Sequence, residues 1–328
     1  MKRSISLLMV ILLCSPLAWA TGAEDDDFDN DSQDDYAVFR PSEGNWYINS
    51  SSREETLVYQ LGLPGDIPVH GNYDNSSRVA LAVYRPSNGF WFYHDIRSNL
   101  DLGSLDSQQW GGFPQDIPVP CDFSGDGRMD LTIYRDGNWF VRESPRYEDN
   151  DVQTYAWGAP GDIPIPFDVD DDRACDLVTF RDGNWFIRLS SRNFLEGGVI
   201  SHGQAGDIPF PGKYDDDNVT DFAVFRRAIP PVLGSLGEVL VPGVPAQFII
   251  RESKTQGLTT ISFPWGEFGD VPMQKDIDDD GRTDIVVWRP SDGTWYTLLS
   301  STDYSTVEVE QFGLIGDIPL GDRAGIRN

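Results

Sequence analysis

Short apolar runs separated by turn residues fill this chain, and one kind of run recurs. It is a mostly apolar triplet closed by arginine: AVFR ending at Arg40, AVYR at Arg85, TIYR at Arg135, VTFR at Arg181, AVFR at Arg226 and VVWR at Arg289. Such a short apolar run reads as a strand. A tryptophan follows in five of the six units, at Trp46, Trp91, Trp139, Trp185 and Trp295, and the fifth unit departs. A Gly-Asp-Ile-Pro anchor, with small variations, places aspartates at Asp66, Asp116, Asp162, Asp207, Asp270 and Asp317, spaced by 50, 46, 45, 63 and 47 residues.

Within one unit the pattern predicts four short strands. Ile-Pro-Val opens the unit, since proline is tolerated at a strand start or edge. An acidic loop follows, and then a second strand, Leu81–Tyr84 in the second unit. Pro86-Ser87-Asn88-Gly89 is a turn, because proline presets φ and glycine accepts a positive φ. Phe90–His94 is the third strand, and the segment ending near Trp110 is the fourth. No stretch keeps a helical period. Four strands in about 47 residues is the size of one β-propeller blade. The chain begins at an acidic loop that lacks an inner strand, and it ends on Ile318-Pro319-Leu320, an inner strand that lacks a unit. Joining them completes a blade and removes the exposed sheet edges of an open array. The expected fold is an all-β β-propeller of about six four-stranded blades, its ring closed by the N- and C-terminal segments. A seventh blade requires degenerate sequence, and little length is spare.

The first twenty residues stand outside this pattern. Lys2 and Arg3 precede an apolar run from Ile5 to Cys14, and Ala18-Trp19-Ala20 offers a small-x-small cleavage site. That layout predicts a signal peptide over 1–20, a single propeller domain over 21–328, and a secreted or periplasmic protein. The run is too short to span a bilayer, so no transmembrane segment is expected. Removing residues 1–20 takes two of the 25 Lys+Arg and leaves 23 against 53 Asp+Glu, a net charge of −30. That charge repels nucleic acid and anionic membranes. Twelve per cent aromatic residues, including 10 Trp, argue against a disordered acidic chain. Cys121 and Cys175 remain after cleavage, either as one disulfide or as two buried thiols.

The acid is concentrated in the loops between first and second strands. Aligned on the following arginine, loop positions 1, 3, 5 and 9 are Asp27, Asp29, Asp31 and Asp35 in the first unit. They are Asp122, Ser124, Asp126 and Asp130 in the third, Asp168, Asp170, Asp172 and Asp176 in the fourth, and Asp276, Asp278, Asp280 and Asp284 in the sixth. Calcium takes six to eight oxygens, and alternate residues of a tight loop turn inward to supply them. Solvated acidic turns are the plain alternative, but repetition of mutually repelling clusters at one position argues for a cation. About four structural Ca2+ ions are expected. The fifth loop carries Lys213 ahead of Asp215, Asp217 and Asp221, and the second carries Asn72, Asp74, Ser76 and Ala80. Lys213 brings its own charge and Ala80 removes the closing carboxylate, so neither loop is expected to hold metal.

These D-x-D-x-D-G-x-x-D loops, with Trp-Gly-Ala-Pro-Gly-Asp at 157–162, resemble FG-GAP, or VCBS-type, repeats over residues 27–322. The resemblance implies a propeller with calcium in its blade loops, as in the integrin α-chain propellers, which have seven blades. It says little about function, because a fold hosts many functions.

No catalytic constellation stands out. His70, His94 and His202 are the only histidines; His70 and His202 read as surface or packing residues. Neither a G-x-S-x-G elbow nor an H-E-x-x-H helix is present. The repeated tryptophans read as packing between blades, with sugar stacking as the alternative, and the repeated Arg and Gly-Asp residues as ion pairs or loop-carbonyl contacts. An insertion at 228–247, rich in Pro, Gly and aliphatic residues, replaces the fifth unit's turn and reads as an irregular loop, either covering a propeller face or contacting a partner. The expected function is a recognition or adhesion module for a glycan or protein ligand. A carbohydrate-active hydrolase or lyase with a site on the central face and a structural cell-surface component are the rivals.

Overall fold

The computed structural model describes residues 26–53, 55–73, 79–94, 105–144, 152–217, 219–233 and 239–321. The expected signal peptide at 1–20 lies outside them, as do Asp74 and Ser76 of the second loop. Six four-stranded antiparallel sheets form the six blades of a propeller. Running outward, the first blade is Ile318–Leu320, Tyr36–Arg40, Asn45–Ser50 and Glu55–Gln60. The second is Ile67–Pro68, Leu81–Arg85, Phe90–His94 and Asp106–Gln109. The third is Ile117–Pro118, Leu131–Arg135, Asn138–Arg142 and Val152–Ala156, and the fourth Ile163–Pro164, Leu177–Arg181, Asn184–Arg188 and Gly197–Ser201. The fifth is Ile208–Pro209, Phe222–Arg226, Gln247–Arg251 and Thr260–Pro264, and the sixth Val271–Lys275, Asp284–Arg289, Thr294–Leu298 and Val307–Gln311. Among the described residues the only helical pieces are single 3-10 turns at Ser190–Arg192 and Ser300–Thr302.

The burial pattern follows the sequence pattern. Second strands such as Leu81–Arg85 are buried along nearly their whole length, third strands alternate, and fourth strands face solvent. Six apolar clusters result, each drawing side chains from two neighbouring blades, and the last joins the sixth blade to the first. The tryptophans are the centre of this packing. Trp46, Trp91, Trp139, Trp185 and Trp295 are wholly buried, and each indole N–H donates to a backbone carbonyl of its own blade at 2.7–2.9 Å. Every blade pairs two aromatic rings across strands: Phe39 with Trp46, Tyr84 with Trp91, Tyr134 with Trp139, Phe180 with Trp185, Phe225 with Phe248 and Trp288 with Trp295. The fifth unit's departure is thus Phe248 in the tryptophan's place. Full burial makes these rings packing residues and leaves none of them a sugar platform.

The ring closes where the termini meet. Ala37, Val38 and Phe39 pair with Leu320, Pro319 and Ile318, so the last strand becomes the inner strand of the first blade. The arginine ending each second strand binds the Gly-Asp aspartate of its own blade. The six pairs, from Arg40–Asp317 through Arg85–Asp66, Arg135–Asp116, Arg181–Asp162 and Arg226–Asp207 to Arg289–Asp270, close at 2.5–2.8 Å. Each aspartate also accepts the backbone N–H three residues before it, as Asp66 does from Leu63 at 2.9 Å. This clasp fixes the loop between blades. Gly89 shows how tightly that loop packs on the turn: with φ at +72°, a Cβ there would lie 2.4 Å from the Gly111 carbonyl.

Cys121 and Cys175 form a disulfide between the third and fourth blades, with Cα atoms 6.1 Å apart. The neighbouring Cys175 N–H donates to the Asp122 carbonyl at 2.7 Å, and equivalent bonds run from Met129 to Asn72, Thr283 to Lys213 and Asp34 to Asp276. The insertion is not the irregular loop its composition predicts. Val232–Leu233 pairs with Val239–Val241, and Ile229 bridges Val244, giving a hairpin of β-branched residues. Ile229, Val232, Leu233, Val239, Val241 and Val244 are 48–62% exposed, so this hairpin stands clear of the propeller instead of covering it.

Breaking the disulfide, with reductant or with Cys121→Ser and Cys175→Ser together, is expected to lower the unfolding free energy by about 4 kcal/mol, the chain-entropy value for a separation of 54 residues. Denaturant titrations with and without reductant measure this, and superimposable curves would contradict it.

Candidate metal loops and a central cavity

Each second strand begins in an acidic loop and ends in an arginine clasp, so loops and clasps lie on opposite faces of the propeller. The loops share one scaffold. The first-position carboxylate accepts N–H groups from positions 5 and 6: Asp27 from Asp31 and Ser32, Asp122 from Asp126 and Gly127, Asp168 from Asp172 and Arg173, Asp276 from Asp280 and Gly281, all at 2.7–3.2 Å. The ninth-position carboxylate ties the loop to its blade. Asp35, Asp130, Asp176 and Asp284 accept the second-position N–H and also the N–H of a serine just past the third strand, namely Ser51, Ser144, Ser190 and Ser300. The hydroxyls of those serines bind the fifth-position carboxylates Asp31, Asp126, Asp172 and Asp280 at 2.9–3.0 Å. Sequence reasoning missed these serines. They recur in five blades, and the second, which lacks the closing carboxylate, carries Ile96 where the serine would stand.

Among the described residues, three loops draw acidic ligand atoms within 4.8 Å of one another: Asp27, Asp29 and Asp31; Asp168, Asp170 and Asp176; and Asp276, Asp278 and Asp280. Their third-position aspartates are held by another serine. Ser52 binds Asp29 at 2.7 Å, Ser191 binds Asp170 at 2.5 Å, and Ser301 binds Asp278. The third loop's carboxylates do not gather this closely. Ser124 there turns its hydroxyl onto Asp122 at 3.1 Å. A hard cation fits the three tight groups because every donor is oxygen, and in two of them a carboxylate oxygen, Asp29 Oδ1 or Asp278 Oδ1, is buried with no hydrogen-bond partner.

The closing carboxylates have their acidity suppressed. Burial pushes Asp130 up to about 8, Asp176 and Asp284 up to about 7, and Asp35 and Asp221 up to about 6, with nearby loop carboxylates adding to the rise. A second polar cluster lies under the seam. Asp26, fully buried, binds His70 Nε2 through one oxygen and Lys275 Nζ through the other, both at 2.7 Å. Lys275 also donates to the Asp35 carbonyl at 2.8 Å, and its ammonium lies 5.7 Å from the Trp295 ring centre. Burial alone would raise the Asp26 carboxyl, but Lys275 and His70 overcome it and hold the group below its usual range. His70 is therefore an interior ion partner and not a surface residue. His202 is buried too, bonded to the Ile249 carbonyl at 2.9 Å.

On the clasp face a cavity of about 800 Å³ opens at the centre. Its wall is the row of inner-strand isoleucines Ile67, Ile117, Ile163 and Ile208. Asp136, Asp182 and Arg227, each following a clasp arginine, stand at its lip. The cavity was invisible in the repeat, because its charged lip comes from the one position after the arginine that varies among Pro, Asp and Arg.

No protein-family model matches this chain, and no curated protein matches it. Solved structures do. An Agrocybe aegerita lectin that recognises non-reducing terminal N-acetylglucosamine shares 12% identity, over 85% of this chain and 90% of its own, with a TM-score of 0.50. Virginiamycin B lyase from Staphylococcus aureus shares 10% identity over 86% of each chain, with a TM-score of 0.42. The likeness to the lectin is one of fold.

The raised carboxylates give a pH dependence of defined sign. Between about pH 4 and about pH 8 the metal-free native state binds more protons than the unfolded chain, so its stability falls as pH rises; the burial cost is absent below the unfolded value and complete above about 8. Thermal melts in chelator across that window test this. A midpoint that climbs throughout would show that these groups are not desolvated in the native state.

Proposed function

We propose that this chain is a secreted, calcium-stabilised propeller that recognises a glycan at the central cavity of its clasp face. The observation that carries the reading is the cavity itself, where inner-strand isoleucines alternate with charged side chains, the clasp residues Asp116, Asp162, Arg181 and Asp207 among them. A sugar presents C–H faces that pack on aliphatic side chains and hydroxyls that bond to carboxylates and guanidinium, which is the division between the isoleucines and Asp136, Asp182 and Arg227. Pockets with apolar walls and a few convergent polar groups are the usual form of small-ligand sites. The formal net charge of −28 disfavours anionic glycans and favours neutral or basic ones. The lectin of similar fold, which recognises a terminal N-acetylglucosamine, is consistent with such a ligand. The hairpin leaves the blade next to Arg227, so it flanks this mouth and offers a longer ligand a second contact.

Calcium belongs to the scaffold in this reading. Asp27, Asp29 and Asp31, Asp168, Asp170 and Asp176, and Asp276, Asp278 and Asp280 would hold the ions, with the third loop, Asp122, Ser124, Asp126 and Asp130, a weaker fourth site. The loops lie on the face away from the cavity, so the ion holds strands in place and does not touch ligand. Each site is expected to add about 2.7 kcal/mol of stability at free calcium a hundredfold above its dissociation constant. Thermal unfolding with calcium and with chelator measures this, and equal midpoints would remove the metal from the proposal.

Binding to an array of neutral glycans tests recognition. Ile163→Trp, which fills the cavity, is expected to weaken binding roughly tenfold or more, equivalent to about 1.4 kcal/mol, with the calcium-loaded melting point unchanged. Undiminished binding would move the ligand elsewhere on the propeller. Release of free sugar from a bound glycan would favour a hydrolase.

A further inference from the structure

We infer that the Lys254 ammonium is a built-in cation that takes the place of a metal ion in the fifth blade's acidic loop. The inference rests on the calcium reading of the other loops. It follows from comparing equivalent residues within one molecule. In the first, fourth and sixth blades the residue after the loop-binding serine is a second serine, and Ser52, Ser191 and Ser301 there bind the third-position carboxylates Asp29, Asp170 and Asp278. In the fifth blade the loop-binding serine is Ser253 and the residue after it is Lys254.

The rest of the fifth loop keeps the common scaffold. Asp221 accepts the N–H groups of Tyr214 and Ser253 at 2.9 and 2.6 Å, and the Ser253 hydroxyl binds Asp217 at 3.1 Å. What changes is the charge at the centre. Lys254 Nζ lies 3.3 Å from Asp216, 3.8 Å from Glu252 and 4.0 Å from Asp215 Oδ2. Asp215 is only 5% exposed, and that same Oδ2 has no hydrogen-bond partner. A buried carboxylate oxygen without a donor needs a cation. In the metal loops the corresponding orphan oxygens are those of Asp29 and Asp278; here an ammonium on a flexible stem is aimed at the orphan. The amine that meets these carboxylates is therefore Lys254 and not, as the loop sequence alone suggests, Lys213 at the first position.

Two variants separate the roles. Lys213→Asp restores the missing first-position carboxylate and leaves the ammonium, whereas Lys213→Asp with Lys254→Ser restores the whole metal-loop pattern. Calcium ions are counted by native mass spectrometry at saturating calcium, with circular dichroism confirming the fold. The expected result is no added ion for Lys213→Asp and one added ion for the double variant, lost again when Asp215→Asn is included. An added ion in Lys213→Asp alone, or none in a folded double variant, overturns the inference. A wild-type protein without calcium would instead defeat the calcium reading, and the comparison between the two variants would still decide the place of Lys254.

Discussion

Everything in this molecule depends on covering both faces of each second strand. A run such as Ala37-Val38-Phe39 is buried on both sides, so a blade standing alone would leave half of its aromatic surface in water. Only a neighbouring blade supplies the missing cover, and only a closed ring supplies one to every blade. The antiparallel pairing of the last strand with Tyr36–Arg40 is therefore a condition for the cores of all six blades. The ring of large rings, from Phe39–Trp46 to Trp288–Trp295, sets the spacing at which closure occurs.

The same strands divide the molecule's electrostatics. At one end each ends in an arginine whose charge is cancelled by an aspartate within the blade, which leaves that face free for a cavity of mixed character. At the other end the strands of the first, third, fourth and sixth blades begin among carboxylates that have no such clasp, and burial there makes ionisation costly. An external cation is one answer to that cost. The serines that fix the loop geometry and the amine of Lys254 are others.

The fold was legible because its signals are local and repeated. The Arg–Asp clasps join residues 19 apart in five of the six blades, and the tryptophans sit four or six residues after the arginines. The site was legible only in part. Ser144 and Ser190 lie 18 residues from the fifth-position carboxylates Asp126 and Asp172, and Ser51 and Ser300 lie 20 from Asp31 and Asp280, across a loop and two strands. Lys254 is farther still, 38 residues from Asp216, because the hairpin intervenes. The seam cluster joins Asp26 to Lys275 across 249 residues, a contact that exists only once the ring has closed. Composition also misled: prolines and glycines in the insertion flank its strands, and the β-branched residues between them pair.

The position of Cys121–Cys175 has a topological meaning. In a ring of six, the boundary between the third and fourth blades lies opposite the boundary between the sixth and the first, beside which the two chain ends meet. The backbone can be cut once anywhere between the two cysteines, and the two pieces remain a single covalent molecule. Each piece still grips the other at the first blade through the terminal strand. The propeller is thus fastened twice, at opposite points of its circumference, once by hydrogen bonds and once by sulfur, and neither fastening must bear the whole ring alone.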